Sequence, residues 1–332
     1  MILLSFCCLC LVPETFVPGD AQDFVNPTDL AVHQSGRLFV VDAGDTRVLA
    51  FQRDGSLDFA FGRKGQGPGE FQSPTGIGFL ADGSLVVADQ GDWTLKFFDS
   101  QGVFQRQLKF QQPFSQVLAL PEGRLLLWEN LHYGAPFSFQ MDDSPPKHLA
   151  MAFDQEGNPI RGYGSYRNDE NPIVKLLLNQ GEWQLDGEHL VFAPTYEASL
   201  LFFEHLELGV KQTTIPYRPD FVPRGVKGKM KQTKQGENIS FDFGLEHADP
   251  VCLGLAALGD GQYLILKTTR EATRGDDLPT ARIQIIDRLG QQVRFVGGLY
   301  RARAMAVSPA KDRVYLLEMD DEDRWQIQQS DL

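Results

Sequence analysis

Apolar runs of four or five residues, each closed by a glycine turn, recur along this chain and predict short strands rather than helices. The first set is Leu30-Ala-Val32, Leu38-Phe-Val-Val41, Val48-Leu-Ala-Phe51 and Leu57 to Phe61, with turns at Gly36 and Asp54-Gly55. Strands this short, joined by such turns, pair as antiparallel hairpins. The set then repeats at an offset of 47 residues, Pro27-Thr-Asp-Leu-Ala-Val on Pro74-Thr-Gly-Ile-Gly-Phe. The same offset places Gly36, Val40, Asp42, Asp45, Phe51 and Gly55 on Gly83, Val87, Asp89, Asp92, Phe98 and Gly102. A repeat of this length is one supersecondary unit copied about an axis, each copy burying its faces on its neighbours.

Weaker copies follow. The third holds Val117 to Leu120, Leu125 to Trp128 and Leu149 to Phe153; the fourth holds Trp183, Leu190 to Phe192 and Leu200 to Phe203. The fifth holds Leu253 to Leu258, Tyr263 to Leu266 and Ile283 to Asp287, and the sixth Ala304 to Val307, Val314 to Leu317 and Trp325 to Ile327. The expected fold is all-β, a six-bladed β-propeller of four-stranded antiparallel blades. The sixth copy has only three strands before Leu332, so closing the ring needs an N-terminal strand, from Thr15-Phe-Val17 or residues up to Phe24.

The run Gly65-Gln-Gly-Pro-Gly-Glu-Phe71, then Pro74-Thr-Gly-Ile, Asp82-Gly83, Val86-Val87 and Asp89, resembles the NHL repeat. Blade one adds Asp42-Ala-Gly-Asp-Thr-Arg47, the spacing of that repeat before its third strand, whereas blade two carries Thr94 where the arginine is usual. The resemblance implies a six-bladed propeller; its relatives range from binding domains to amidating lyases and lactonase-like enzymes, so it implies no single activity.

In an antiparallel blade the turns joining strands one to two and three to four lie on one face, where all are short here. The long segments 129–147, 158–178, 215–250 and 268–280 belong to the other face. Insertions confined to one rim build a binding surface. The candidate residues there are Asp42, Asp45, Arg47, Asp89, Asp92, Trp93, His132, Tyr133, Arg270, Asp276, Asp277, Glu318, Asp320 and Asp321. The competing structural role for Asp42 and Arg47 is to tie strands by a charge-assisted hydrogen bond. The stretch Pro223 to Lys234 has Arg224, Lys227, Lys229, Lys231 and Lys234 with no acid and is expected as a mobile loop.

The formal net charge is −13, which argues against nucleic acid as a partner. The uncharged run Ile2 to Val12 is too short to span a bilayer and resembles the core of an export signal, giving residues 1–21 as an export segment and 22–332 as one propeller. The expected location is extracytoplasmic, periplasmic or secreted. A lipid anchor on Cys7, Cys8 or Cys10 lacks a proper lipobox. Cys252 is expected as a buried strand thiol.

A metal enzyme on this scaffold would aim ligands from several blades into the axis. Aligning the Asp29 position gives Asp29, Gly76, Gln116, Gln180, Gly254 and Ala304, with one titratable group. The histidines share no repeat position, and no Gly-x-Ser-x-Gly elbow or phosphate loop occurs. The leading expectation is a monomeric scaffold binding a protein, peptide or carbohydrate on its insertion-bearing face, with no cofactor. The alternative is a hydrolase or lyase on that face, using calcium or zinc.

Overall fold

The computed structural model describes residues 14–16, 24–130, 148–204, 211–235, 238–270 and 278–332. Blade I comprises β2 (Pro27–Val32), β3 (Leu38–Asp42), β4 (Arg47–Phe51) and β5 (Leu57–Phe61), preceded in the chain by β1 (Glu14–Phe16). Blade II is β6 (Pro74–Phe79), β7 (Leu85–Asp89), β8 (Thr94–Phe98) and β9 (Phe104–Lys109). Blade III is β10 (Gln116–Ala119), β11 (Leu125–Trp128), β12 (His148–Phe153) and β13 (Pro159–Ser165). Helix α1 (Pro172–Leu178) leads to blade IV, made of β14 (Gly181–Asp186), β15 (His189–Pro194), β16 (Ser199–Glu204) and β17 (Lys211–Pro216). A hairpin, β18 (Val226–Gln235) with β19 (Asn238–Ala248), precedes blade V: β20 (Cys252–Gly259), β21 (Gln262–Thr268), β22 (Ala281–Asp287) and β23 (Gln292–Tyr300). Blade VI is β24 (Ala302–Val307), β25 (Arg313–Met319) and β26 (Trp325–Asp331), completed by β1, which pairs antiparallel with β26 from Glu14↔Gln329 to Phe16↔Ile327.

The burial pattern explains why the apolar runs lack alternation. The middle strands β3 and β7 are buried at all five positions because both faces pack against neighbouring blades, whereas outermost β5 alternates between partly buried and exposed. The core is accordingly six clusters, one in each gap between blades. Phe39, Val41 and Val48 of blade I meet Phe71, Ile77 and Val87 of blade II. Leu30, Val40 and Phe51 meet Ala304, Tyr315 and Leu317 of blade VI, which closes the ring.

Two expected insertions are ordered structure instead. The segment 158–178 supplies the fourth strand of blade III and helix α1, whose N-cap Asn171 accepts from the backbone N–H groups of Ile173 and Val174. Within 215–250, the stretch expected as a mobile loop is largely strand β18. Alternating lysines at 227, 229 and 231 satisfy a strand pattern with one charged face, and β19 supplies the pairing that a loop reading omits. The hairpin is a two-stranded sheet joined to no blade. Asn171 anchors it by donating from Nδ2 to the carbonyls of Lys229 (2.9 Å) and Gly244 (3.1 Å), one on each strand. At its base Arg224 makes a two-pronged contact with buried Asp249, at 2.8 and 2.6 Å.

Candidate functional site

The rim aspartates of the first two blades are structural ties. Asp42 is fully buried and accepts from the backbone N–H groups of Val25 (3.2 Å) and Asn26 (2.9 Å), stapling the incoming chain to β3, while Arg47 Nη2 lies 3.4 Å away. Asp89 repeats the arrangement with Gln72 (2.8 Å) and Ser73 (2.7 Å). Its cation is Lys96, 2.5 Å from the carboxylate and itself 1% exposed, so the arginine absent at Thr94 is replaced two residues later. Thr94 instead bonds Asp92, and Lys96 also donates to the carbonyl of Glu70 (2.7 Å). Asp45 pairs with Arg47 at 2.9 Å.

The other rim candidates are scattered. Trp93 is partly buried against the blade II–III core, and Arg270 is exposed. Asp320 closes its own turn by accepting from the backbone of Glu322 and Arg324, which holds its carboxyl below the ordinary value, and Asp321 is exposed. Glu318, buried on β25 with Gln326 donating to it at 3.0 Å, is pushed up to about 7 by burial. His132, Tyr133, Asp276 and Asp277 lie outside the described residues. Cys252 is buried and bonded to the carbonyl of Gly254, and burial pushes its thiol up to about 12. Among the described residues, no three of His, Cys, Asp and Glu come together as metal ligands would.

A cavity of about 360 Å³ follows the innermost strands, from Asp29, Gln116 and Glu182 near their starts to the turn Ser308–Lys311 of blade VI. Its walls between these ends are mostly small or aliphatic, including Ala31, Gly78, Ala119 and Ala306. Asp29 accepts from the backbone N–H groups of Leu30 (2.8 Å) and Ile77 (3.0 Å), joining blade I to blade II. Glu182 accepts from Asn130 Nδ2 at 2.6 Å, joining blade IV to blade III. Blades I and IV stand across the axis from each other, so the two carboxyls face the same lumen.

Glu182 corrects the alignment that put Gln180 at the Asp29 level. In blade I a bulge separates Pro27↔Asp42 from Asp29↔Val41, leaving Thr28 unpaired, and blades II, V and VI share this irregularity. Blade IV has no bulge: Gly181↔Pro194 is followed directly by Glu182↔Ala193, so Glu182 occupies the Asp29 register. The channel level therefore carries two carboxyls.

Both acids hold their protons tightly. Burial raises Asp29 to about 7 against the pull of its two backbone donors, and burial reinforced by the charge of Asp29 raises Glu182 to about 8. Burial also raises neighbouring Glu129 to about 7. Folded pKa values above unfolded ones mean that this stabilisation is complete below about pH 4 and lost as pH rises through 7 and 8. Because both groups touch the lumen, solvent screening reduces the effect. Glu182→Gln keeps the acceptor for Asn130, and denaturant unfolding at pH 5 and pH 9 is expected to show it gaining about 1–2 kcal/mol on the wild type between those values. An unchanged pH dependence would contradict a raised Glu182.

The DUF5128 family, described as 6-bladed beta-propeller, matches residues 19–207. The human E3 ubiquitin-protein ligase NHLRC1 is 38% identical over 85 residues, 25% of this chain and 22% of that protein. Mouse NHL repeat-containing protein 3 is 28% identical over 117 residues, 33% of each chain. The chain thus spans no more than a third of the length of these relatives. The crystal structure of a DUF4221 member from Bacteroides vulgatus superposes with a TM-score of 0.61 at 11% identity, covering 97% of this chain and 96% of that one. With six interlocked blades and NHL-type repeats in the first two, this chain belongs to the 6-bladed beta-propeller family.

Proposed function

We propose that this chain is an extracytoplasmic binding scaffold whose partner docks on the face bearing the long connections, with the β18–β19 hairpin as its main contact. The hairpin carries the reading. Its first strand and the residues leading into it, Pro223 to Gln235, hold five basic residues and no acid, with Glu237, Asp242 and Glu246 following on the return, in a chain of net charge −13. Lys227, Lys229 and Lys231 are exposed, and only Lys227 has a described ion pair, with Glu246 at 2.7 Å. Asn171 and Asp249 hold this arm in place, so its charges are presented in a fixed array rather than on a floppy loop. Such an array suits an acidic protein surface, because charge complementarity sets orientation and speeds encounter. By connectivity, the links from β11 to β12 in blade III and from β21 to β22 in blade V open on this same face. The hydrolase or lyase reading lacks a comparable support: no metal-ligating trio is assembled among the described residues.

Photo-crosslinking side chains placed at Lys229 and Lys231 in the native compartment are expected to trap the partner, and the same groups at Asp54 and Gln101, on the short-turn face, to trap none. Capture from Asp54 and Gln101 alone would overturn the proposal.

A further inference from the structure

Because β18 and β19 form a sheet of two strands that joins no blade, each keeps an edge without a neighbouring strand among the described residues. Resting on the hairpin reading above, we propose that the partner docks as an extended segment in which acidic and apolar residues alternate, added as a third strand on the open edge of β18. Addition to an open edge draws affinity from main-chain hydrogen bonds and specificity from alternate side chains.

Successive residues of β18 point to opposite faces of the hairpin. On one face stand Lys227, Lys229 and Lys231, all exposed. This face is open: Gly244 pairs with Lys229, and a side chain at Gly244 would meet nothing within 4 Å. On the other face stand Gly228 and Met230. Gly228 lies against α1, where a side chain would collide with Asn171 and Val174. Beside that contact the same face is uncovered: Met230 is 51% exposed, and Leu245, which the register sets opposite Gly228, is 41% exposed.

Charge selects the edge. The acids of the hairpin are on β19, where Asp242 stands opposite Lys231 and Glu246 pairs with Lys227 at 2.7 Å. The outer side of β18 is thus the basic side, and that of β19 the acidic one. A strand laid beside β18 sets every second side chain among the lysines and those between on the side of Met230. Carboxylates suit the first set and apolar groups the second. Lysines on an edge repel ordinary strands and a second copy of β18, yet admit an acidic strand, so the same residues exclude as well as attract. The hold of Asn171 on the carbonyls of Lys229 and Gly244 keeps the edge extended before the partner arrives.

The test is fluorescence anisotropy and amide hydrogen exchange of the full chain with an eight-residue peptide alternating glutamate and valine. Its controls are the same residues in two blocks, lysine in place of glutamate, and the alternating peptide methylated at every backbone nitrogen, which removes its donors. The alternating peptide should bind one per chain and each control at least tenfold more weakly. Outward-facing amides of Val226–Gln235 should then exchange at least tenfold more slowly, and those of the blades should not. Lys229→Glu/Lys231→Glu should lose at least tenfold in affinity and Met230→Ser severalfold, both keeping the wild-type far-ultraviolet circular dichroism. Equal binding of the alternating and block peptides, unchanged exchange in β18, or no binding of the alternating peptide overturns the proposal. The hairpin reading falls separately, on the crosslinking result: a partner trapped at Lys229 and Lys231 beside a peptide that does not bind would keep the docking face and exclude strand addition as its mode.

Discussion

Replacing Asp89 by alanine will cost about 4 kcal/mol of folding stability, because it takes the nearest carboxylate from the buried Lys96 ammonium. Lys96 is 1% exposed, and its remaining described partners are the Glu70 carbonyl and a longer contact with Asp92 at 3.6 Å. The same change strips the acceptor from two backbone N–H groups, those of Gln72 and Ser73. Removing both charges in Asp89→Ala/Lys96→Met should recover a large part of the loss, since the penalty arises from an unpaired buried charge rather than from the pair itself. The equivalent Asp42→Ala should cost less, about 2 kcal/mol, because Arg47 is 23% exposed and can turn to water. Urea unfolding of the four proteins gives the comparison. Equal losses at Asp42 and Asp89 would contradict the burial argument.

A chain beginning at Gln22 will unfold at lower denaturant and will associate with itself as its concentration rises. It lacks β1, so the edge of β26 from Ile327 to Gln329 loses its partner and is free to pair with another molecule. A strand of three paired residues contributes about 3 kcal/mol in hydrogen bonds and edge protection. Unfolding midpoints and light scattering of the two lengths would show it; equal stability and a concentration-independent mass would mean that the ring closes without β1. Cleavage after Ala21 would produce this truncation and so would open the ring that β1 closes.

Much of this architecture was legible in the chain because it is carried by side chains at repeat positions. The 47-residue offset places Asp42 on Asp89, and both prove to be the same backbone staple. The missing fourth strand of blade VI called for an N-terminal strand, and Glu14–Phe16 supplies it. What escaped is carried by the backbone or by partners distant in sequence. A β-bulge changes which residue faces the axis without leaving a side-chain signature, so blade IV, which lacks one, concealed Glu182 behind Gln180. Lys96 replaces the arginine from two residues away, a distance that a fixed motif does not span. The hairpin read as a loop because its lysines were weighed as a charge run, whereas its order comes from β19 and from Asn171, 58 residues before Lys229. The candidate rim aspartates were visible for the same reason that they are structural, since they recur with the blade.

The claim that the long-connection face is the binding face is tested most directly by charge reversal on the hairpin. Lys229 acts electrostatically on Glu246 and Lys231 stands opposite Asp242 on β19, so Lys229→Glu/Lys231→Glu should lower the unfolding midpoint slightly while leaving the protein folded. The quantity to measure is the affinity of this variant, against wild type, for the partner trapped by crosslinking, at low and at physiological salt. The account predicts at least a tenfold loss, and a wild-type affinity that weakens with salt while that of the variant does not. An unchanged affinity with the same salt dependence would contradict it and move the binding surface off this face.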